Sequence, residues 1–257
     1  VTSVDSSPVL IIAAHPDDEA IGLGGQLAGF RQSFLVHTTD GAPRAHTNRT
    51  EYASIRRGEL EAALGVAGIP ASNALALGAV DQESPAVMAE LARELAAIID
   101  RLRPDTIFTH AYEGGHPDHD AAAFVVHVAV RLALREDFRH PVVREFTSYH
   151  NGAPFSVHSW MRVGEFLPWP ESNQGTVVLS LDARDRKRRM FECFASQRHM
   201  LDSFPIALER TRLAPAYDFT IPPHEGRLFY EDQDWGWDGA SWRHQARRAL
   251  EELHLNQ

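Results

Sequence analysis

Cysteine is nearly absent: Cys193 stands alone in 257 residues. A lone thiol excludes an internal disulfide and any thiolate metal cluster, and it fits a reducing compartment. Long apolar runs are missing as well, so no segment reads as a membrane span. Lys and Arg form no block long enough for a nucleic-acid arm. The densest stretch, Arg184 to Arg189, has Asp182 and Asp185 beside and within it and reads as a solvated helix face. With a formal net charge of −10, no nucleic-acid partner is expected. Val1 to Ser7 places no basic residue ahead of the short apolar run that follows, so no secretory signal is read and a cytoplasmic location is expected. Internal repeats, low-complexity tracts and linkers are lacking too, which leaves 1–257 as one domain. The rest is ordinary: 44% apolar and 23% charged residues are enough to build the core of a globular protein.

Against that plain background one stretch stands out, Ala14-His15-Pro16-Asp17-Asp18-Glu19. It follows Pro8 to Ala14, a short run rich in branched residues without polar alternation, which fits a strand buried on both faces. A first helix is expected over 18–31 and a second strand over 34–38, ending at Thr39-Asp40-Gly41. A helix capped by Thr50 runs to Gly68, and 74–77 is a short strand. Ser84-Pro85 opens a helix whose stripe Val87, Leu91, Leu95, Ile98, Ile99 and Leu102 has helical spacing. A second buried-type strand, 105–109, leads into His116-Pro117-Asp118-His119 and a helix over 121–134. Further strands are expected at 142–149 and 176–181, helices at 182–196 and near 241–253. The stretch between, with Pro205, Pro215, Pro222 and Pro223, reads as irregular. Strands alternating with helices predict an α/β fold, Rossmann-like and doubly wound, with a mostly parallel sheet in the order 3-2-1-4-5 and an irregular C-terminal part. In that order strands 1 and 4 are neighbours, so the two His/Asp turns meet at the switch crevice.

Crowding carboxylates and imidazoles into such turns is costly unless a cation offsets their charge. Two His and one carboxylate with open positions suit a catalytic Zn²⁺, and His15, Asp18 and His119 are the ligands expected. Fe²⁺ is the alternative divalent metal. Asp17 is then free to act as general base, and His116 to stabilise an oxyanion and protonate a leaving amine. Asp118 is expected to orient His116 and favour its charged form. The blander reading, helix caps, explains one such turn better than two. A dinucleotide site is disfavoured because Leu27 occupies the third glycine position after Gly22 and Gly24, and carboxylates fill the phosphate turn. These glycines read as close helix–sheet packing.

At these residues the chain resembles the LmbE/PIG-L family of zinc-dependent N-acetylglucosaminyl deacetylases, over 8–135. The Ala14–Glu19 motif, the Gly24-Gly25 pair and the His116–His119 motif occur in the family's order. By that resemblance His15, Asp18 and His119 match metal ligands, Asp17 the general base and His116 the residue that stabilises the tetrahedral intermediate. Arg56, in Arg56-Arg57-Gly58-Glu59, matches a substrate contact. Ala67-Gly68 departs from the family's Leu-Gly at that helix end. The resemblance implies hydrolysis of an N-acetyl group on an amino sugar or glycoconjugate.

Asp40 and Asp81 follow strands and are further candidates for sugar hydroxyls. His110 and Glu113 are expected at the rim, which is drawn from 42–49, 110–115 and 150–175. Trp235-Gly236-Trp237 reads as core packing or a subunit contact, compatible with a homo-oligomer, with sugar stacking as the alternative use. Two other readings of the metal residues stand beside the hydrolase: a non-haem iron oxygenase, which uses the same two-His-one-carboxylate set, and a non-catalytic binding module tied by a metal.

Overall fold

The computed structural model describes residues 8–30, 32–133, 140–152, 161–169 and 173–255. Parts of the expected rim, 153–160 and 170–172, and the ends of the expected domain, 1–7 and 256–257, lie outside the described residues. So does the last residue of each of the helices expected over 18–31 and 121–134.

Five parallel strands form the sheet's first part: β1 (Val9–Ala13), β2 (Ser33–Pro43), β3 (Ala74–Asp81), β4 (Thr106–His110) and β5 (Val142–Phe146). Two antiparallel strands, β8 (Gly175–Val178) and β9 (Leu208–Leu213), extend it, giving the order β3-β2-β1-β4-β5-β9-β8. A separate two-stranded ladder joins β6 (Tyr149–His150) and β7 (Arg162–Val163). The expected doubly wound order is therefore present. Val9 of β1 pairs with Ser33 on one side and Thr106 on the other, so β1 and β4 are neighbours.

The apolar run of β1 is buried on both faces. Leu10 and Ile12 face a core shared with α3 (Met88–Leu102), α4 (Pro117–Leu132) and α7 (Gly239–Glu252). Ile11 faces the other core, built with α1 (Asp18–Leu23), α2 (Arg49–Ala67) and α5 (Leu181–Cys193). Helices cover both faces of the parallel strands, the arrangement such strands require. A short α6 (Arg198–Leu201) follows α5.

Several elements depart from the sequence expectation. The first helix stops at Leu23, and a 3-10 turn takes over at Leu27–Gly29. A Cβ at Gly22 would run into the Phe146 ring, and one at Gly25 into Leu179, so these glycines do serve close packing. Helix α4 starts at Pro117, four residues before the expected 121, because His116 caps it and Pro117 takes the first turn. The stretch read as irregular contains β9. Its apolar signal is weak because Glu209 and Arg212 are both buried, Glu209 paired with Lys187 at 2.9 Å and Arg212 with Glu145 at 2.6 Å.

On α4, His127 packs edge-on against Tyr217 and Phe219, at 5.5 and 5.4 Å between ring centres. Burial pushes its imidazole down to about 4. The folded-state value lies below that of the unfolded chain. Its contribution to stability is therefore present above about pH 6.5 and is lost as the pH falls towards 4. Because the ring is only partly buried, the loss is about 1–2 kcal/mol. His127→Phe keeps the packing and removes the titration. Urea unfolding at pH 7 and pH 4.5 is expected to show a smaller acid loss in the variant than in the parent. Equal losses would clear His127 of any part in it.

Candidate active site

Where β1 ends, the chain turns sharply. The N–H of Ala14 donates to His110 Nε2 at 3.1 Å, and the N–H of His15 donates to Asp18 Oδ2 at 2.8 Å. Asp17 then adopts φ +127°, a conformation that L residues rarely hold and that costs about 1–3 kcal/mol. Three groups keep it there. Glu19 Oε2 accepts the Asp17 N–H at 3.1 Å while also bonding His37 Nε2 at 3.0 Å. The Asp17 carbonyl accepts the N–H groups of Ala20 and Ile21, both at 2.9 Å. Arg56, fully buried on α2, donates to the Pro16 carbonyl and lies 3.3 Å from Asp17 Oδ2. Glu19 thus acts as a backbone clamp.

The second turn leaves β4 at His110. Asp120 Oδ1 accepts the N–H groups of Glu113 and Gly114 at 3.1 and 3.0 Å, which folds the loop onto the start of α4. Asp118 ties the same helix to the end of β3. Its carboxylate accepts the Gln82 N–H at 2.5 Å and the Ser84 N–H at 3.0 Å. The two turns meet: the His15 ring centre lies 4.6 Å from that of His116 and 5.3 Å from that of His119.

Asp18 stands between them, with Oδ1 3.2 Å from His119 Nε2 and Oδ2 3.3 Å from both His15 Nδ1 and His110 Nε2. Among the described residues the donor atoms fall into three overlapping clusters, each within 4.8 Å: His15, His116 and His119; Asp18, His110 and His119; and His15, Asp81, His116 and Asp118. The expected ligands His15, Asp18 and His119 are thus split across these clusters, with Asp18 touching both imidazoles.

The electrostatics fit a cation. Burial pushes His116 to about 3, helped by the His15 charge, and burial also pushes His119 to about 3 despite Asp18 beside it. Neutral imidazole is the ligand form. His15 goes the other way. Burial opposes its charge, but Asp81, Asp118 and Asp18 hold its pKa well above the ordinary range. A positive centre is therefore favoured among these carboxylates. Burial raises Asp17 to about 8 against the pull of Arg56.

Other candidates are placed differently from expectation. The Asp118 carboxylate lies 3.2 Å from His15 Nε2 and 3.9 Å from His116 Nδ1, so its close partner is His15. What bonds His116 is the Asp118 backbone N–H, donating to Nδ1 at 3.1 Å. That leaves the ring proton of neutral His116 on Nε2. His110 is not at a rim: it is buried and stacked on His119, 4.0 Å between ring centres at 11°. Glu113 is inside too, 3.3 Å from Arg212.

A cleft of about 160 Å³ opens over these groups, with Arg56, Asp81 and Gln82 on its walls. Asp81 Oδ1 lies 3.1 Å from His15 Nε2. Asp40 is not on the wall; its carboxylate pairs with Arg49 and accepts the Ala42 N–H at 3.1 Å. Ile21, Tyr149, Gln197, Met200 and Trp235 complete the lining. Gln197 and Met200 give no signal in the sequence, whereas Trp235 belongs to the segment that reads there as core packing or a subunit contact, with sugar stacking as the alternative. Among the described residues no helix is long and apolar enough to cross a membrane.

Residues 10–130 match the PIG-L family, described as GlcNAc-PI de-N-acetylase. A 1D-myo-inositol 2-acetamido-2-deoxy-alpha-D-glucopyranoside deacetylase from Salinispora arenicola is 30% identical over 170 residues, covering 54% of this chain and 55% of the relative. A diacetylchitobiose deacetylase from Thermococcus kodakarensis is 33% identical over 149 residues, covering 52% and 53%. The chain thus spans about half the length of the curated relatives it matches. The solved A40926 pseudoaglycone deacetylase shares the fold, with TM-score 0.62 and 18% identity over 83% of this chain and 99% of that one.

Proposed function

We propose that this protein, whose residues 10–130 match the PIG-L family, is a metal-dependent hydrolase that removes an N-acetyl group from an amino sugar or glycoconjugate. The observation that carries the reading is the meeting of His15, Asp18 and His119 beside Asp17 in one cleft. His15, Asp18 and His119 would hold the ion, Zn²⁺ in the first instance. When bound, it supplies Lewis acidity towards water and the amide carbonyl.

The chain's own groups do the rest. Asp17 takes a proton from the attacking water as its oxygen bonds to the carbonyl carbon. His116 Nε2–H donates to the oxygen that becomes negative, a role that neutral imidazole fills. The C–N bond then breaks, and the proton held by Asp17 passes to the amine nitrogen. The products are acetate and a free amine. This assignment moves the leaving-group proton from His116, which burial keeps neutral, to Asp17. Arg56 and Asp81, on the cleft walls, are the polar contacts offered to the substrate.

An amine-release screen of N-acetylated amino sugars and glycoconjugates tests the proposal. Release is expected to stop with a chelator and return with added Zn²⁺, and to proceed without oxygen. Release that needs oxygen would favour the oxygenase reading. Release indifferent to complete chelation, or no release from any N-acetylated sugar, would overturn the proposal.

A further inference from the structure

The segment that carries Trp235 lies outside the family-matched stretch, yet it is fastened to the turn around His116 and to the end of β3. The Phe229 N–H donates to the Gly114 carbonyl at 2.8 Å, on the loop before His116. Trp237 Nε1–H donates to the Gln82 carbonyl at 2.6 Å, just after β3. Trp242 Nε1–H donates to the Pro117 carbonyl at 3.0 Å. Glu231 closes the segment on itself by accepting the N–H groups of Leu228 and Gly239, at 3.2 and 2.8 Å.

These ties set the Trp235 indole 4.4 Å from the His116 imidazole, tilted by 46°, with Phe229 6.2 Å away. Trp242 has the burial of a core residue, 0% exposed. Trp235 is only partly buried and lines the cleft. Asp81 and Arg56 share those walls as polar groups. An aromatic face beside polar groups matches a pyranose, which presents an apolar C–H face and a rim of hydroxyls.

We propose that Trp235 is a specificity-determining residue: its indole face is the platform on which the sugar ring lies while the acyl group meets His116. This rests on the deacylase reading and adds to it the group that selects a ring over an open-chain amide. The competing role is a buttress that only holds His116 in place.

Two measurements on the full chain separate these roles. The first compares the methyl glycoside of N-acetylglucosamine with N-acetylethanolamine in the Zn²⁺-loaded enzyme. Trp235→Ala is expected to raise KM for the sugar about tenfold, the scale of one aromatic contact. Its kcat should change little, KM for the open-chain amide should not move, and Trp235→Phe should recover most of the loss. Equal effects on both substrates, or a fall in kcat for both, would overturn the proposal and favour the buttress.

The second measurement needs no turnover. The methyl glycoside is expected to quench tryptophan fluorescence in the parent protein and not in Trp235→Phe. A quench unchanged in the variant, or none in the parent, would overturn the platform. If no amide is hydrolysed but the quench behaves as expected, the deacylase reading fails and the sugar platform stands.

Discussion

Asp17→Asn is expected to lower kcat/KM for amide hydrolysis by about 10²–10⁴, the usual worth of a general base, with metal content unchanged. The substitution is a clean probe for three reasons. Asn is close in size to Asp, and it tolerates positive φ better than most residues, so the turn at φ +127° survives. Its backbone N–H still meets Glu19, and its carbonyl still accepts from Ala20 and Ile21. Finally, Asp17 belongs to none of the donor clusters that would hold the ion. Metal analysis alongside amine release therefore separates lost chemistry from a lost cofactor. Full activity in the variant would remove Asp17 from the mechanism. Lost activity with lost metal would move it into the ligand set.

The site was legible in the sequence where strand and turn chemistry point the same way. Pro8 to Ala14 is an apolar run, and Ile107 and Phe108 give 105–109 one apolar side chain on each face, which suits strands of a parallel sheet covered by helices on both sides. The order of elements then makes those strands neighbours and brings His15 to His116. What stayed hidden depends on register and on charges satisfied far along the chain. Asp40 and Asp81 look alike in the sequence, each an acid at the end of a strand. The β2–β3 pairing shifts register between His37 and Thr39 and again between Thr39 and Pro43. After those shifts Asp40 meets Arg49, whereas Asp81 meets His15. His110 was misplaced because its cue was loop position, while its partners, the Ala14 N–H and Asp18, lie more than ninety residues earlier. Strand β9 escaped because a strand whose buried residues include Glu209 and Arg212 shows no apolar alternation.

That same strand gives the largest stability effect expected. Arg212 is buried and donates to four groups: Glu145 Oε2 at 2.6 Å, the Leu167 carbonyl at 2.9 Å, the Tyr217 hydroxyl at 3.0 Å and Glu113 Oε1 at 3.3 Å. Its guanidinium also lies 4.3 Å from the centre of the Phe166 ring. Arg212→Met leaves two buried carboxyl groups without their cation, and the expected cost is about 3–5 kcal/mol by urea unfolding near neutral pH. The pH dependence identifies the cause. Burial already raises Glu113 to about 8 and Glu145 to about 7, with Arg212 holding both down. For groups raised in the folded state, stability is fully present below the unfolded value of 4.5 and is lost as pH rises through 7 and 8. Without Arg212 both values climb further, so the folded variant keeps its protons to higher pH and goes on losing stability there. Its deficit against the parent should be smaller at pH 5 than at pH 8. Glu113 lies on the loop whose N–H groups Asp120 holds, just ahead of His116. Turnover should therefore fall along with stability at pH 8. A deficit equal at the two pH values would mean that the lost packing on Phe166, not the stranded carboxylates, sets the cost.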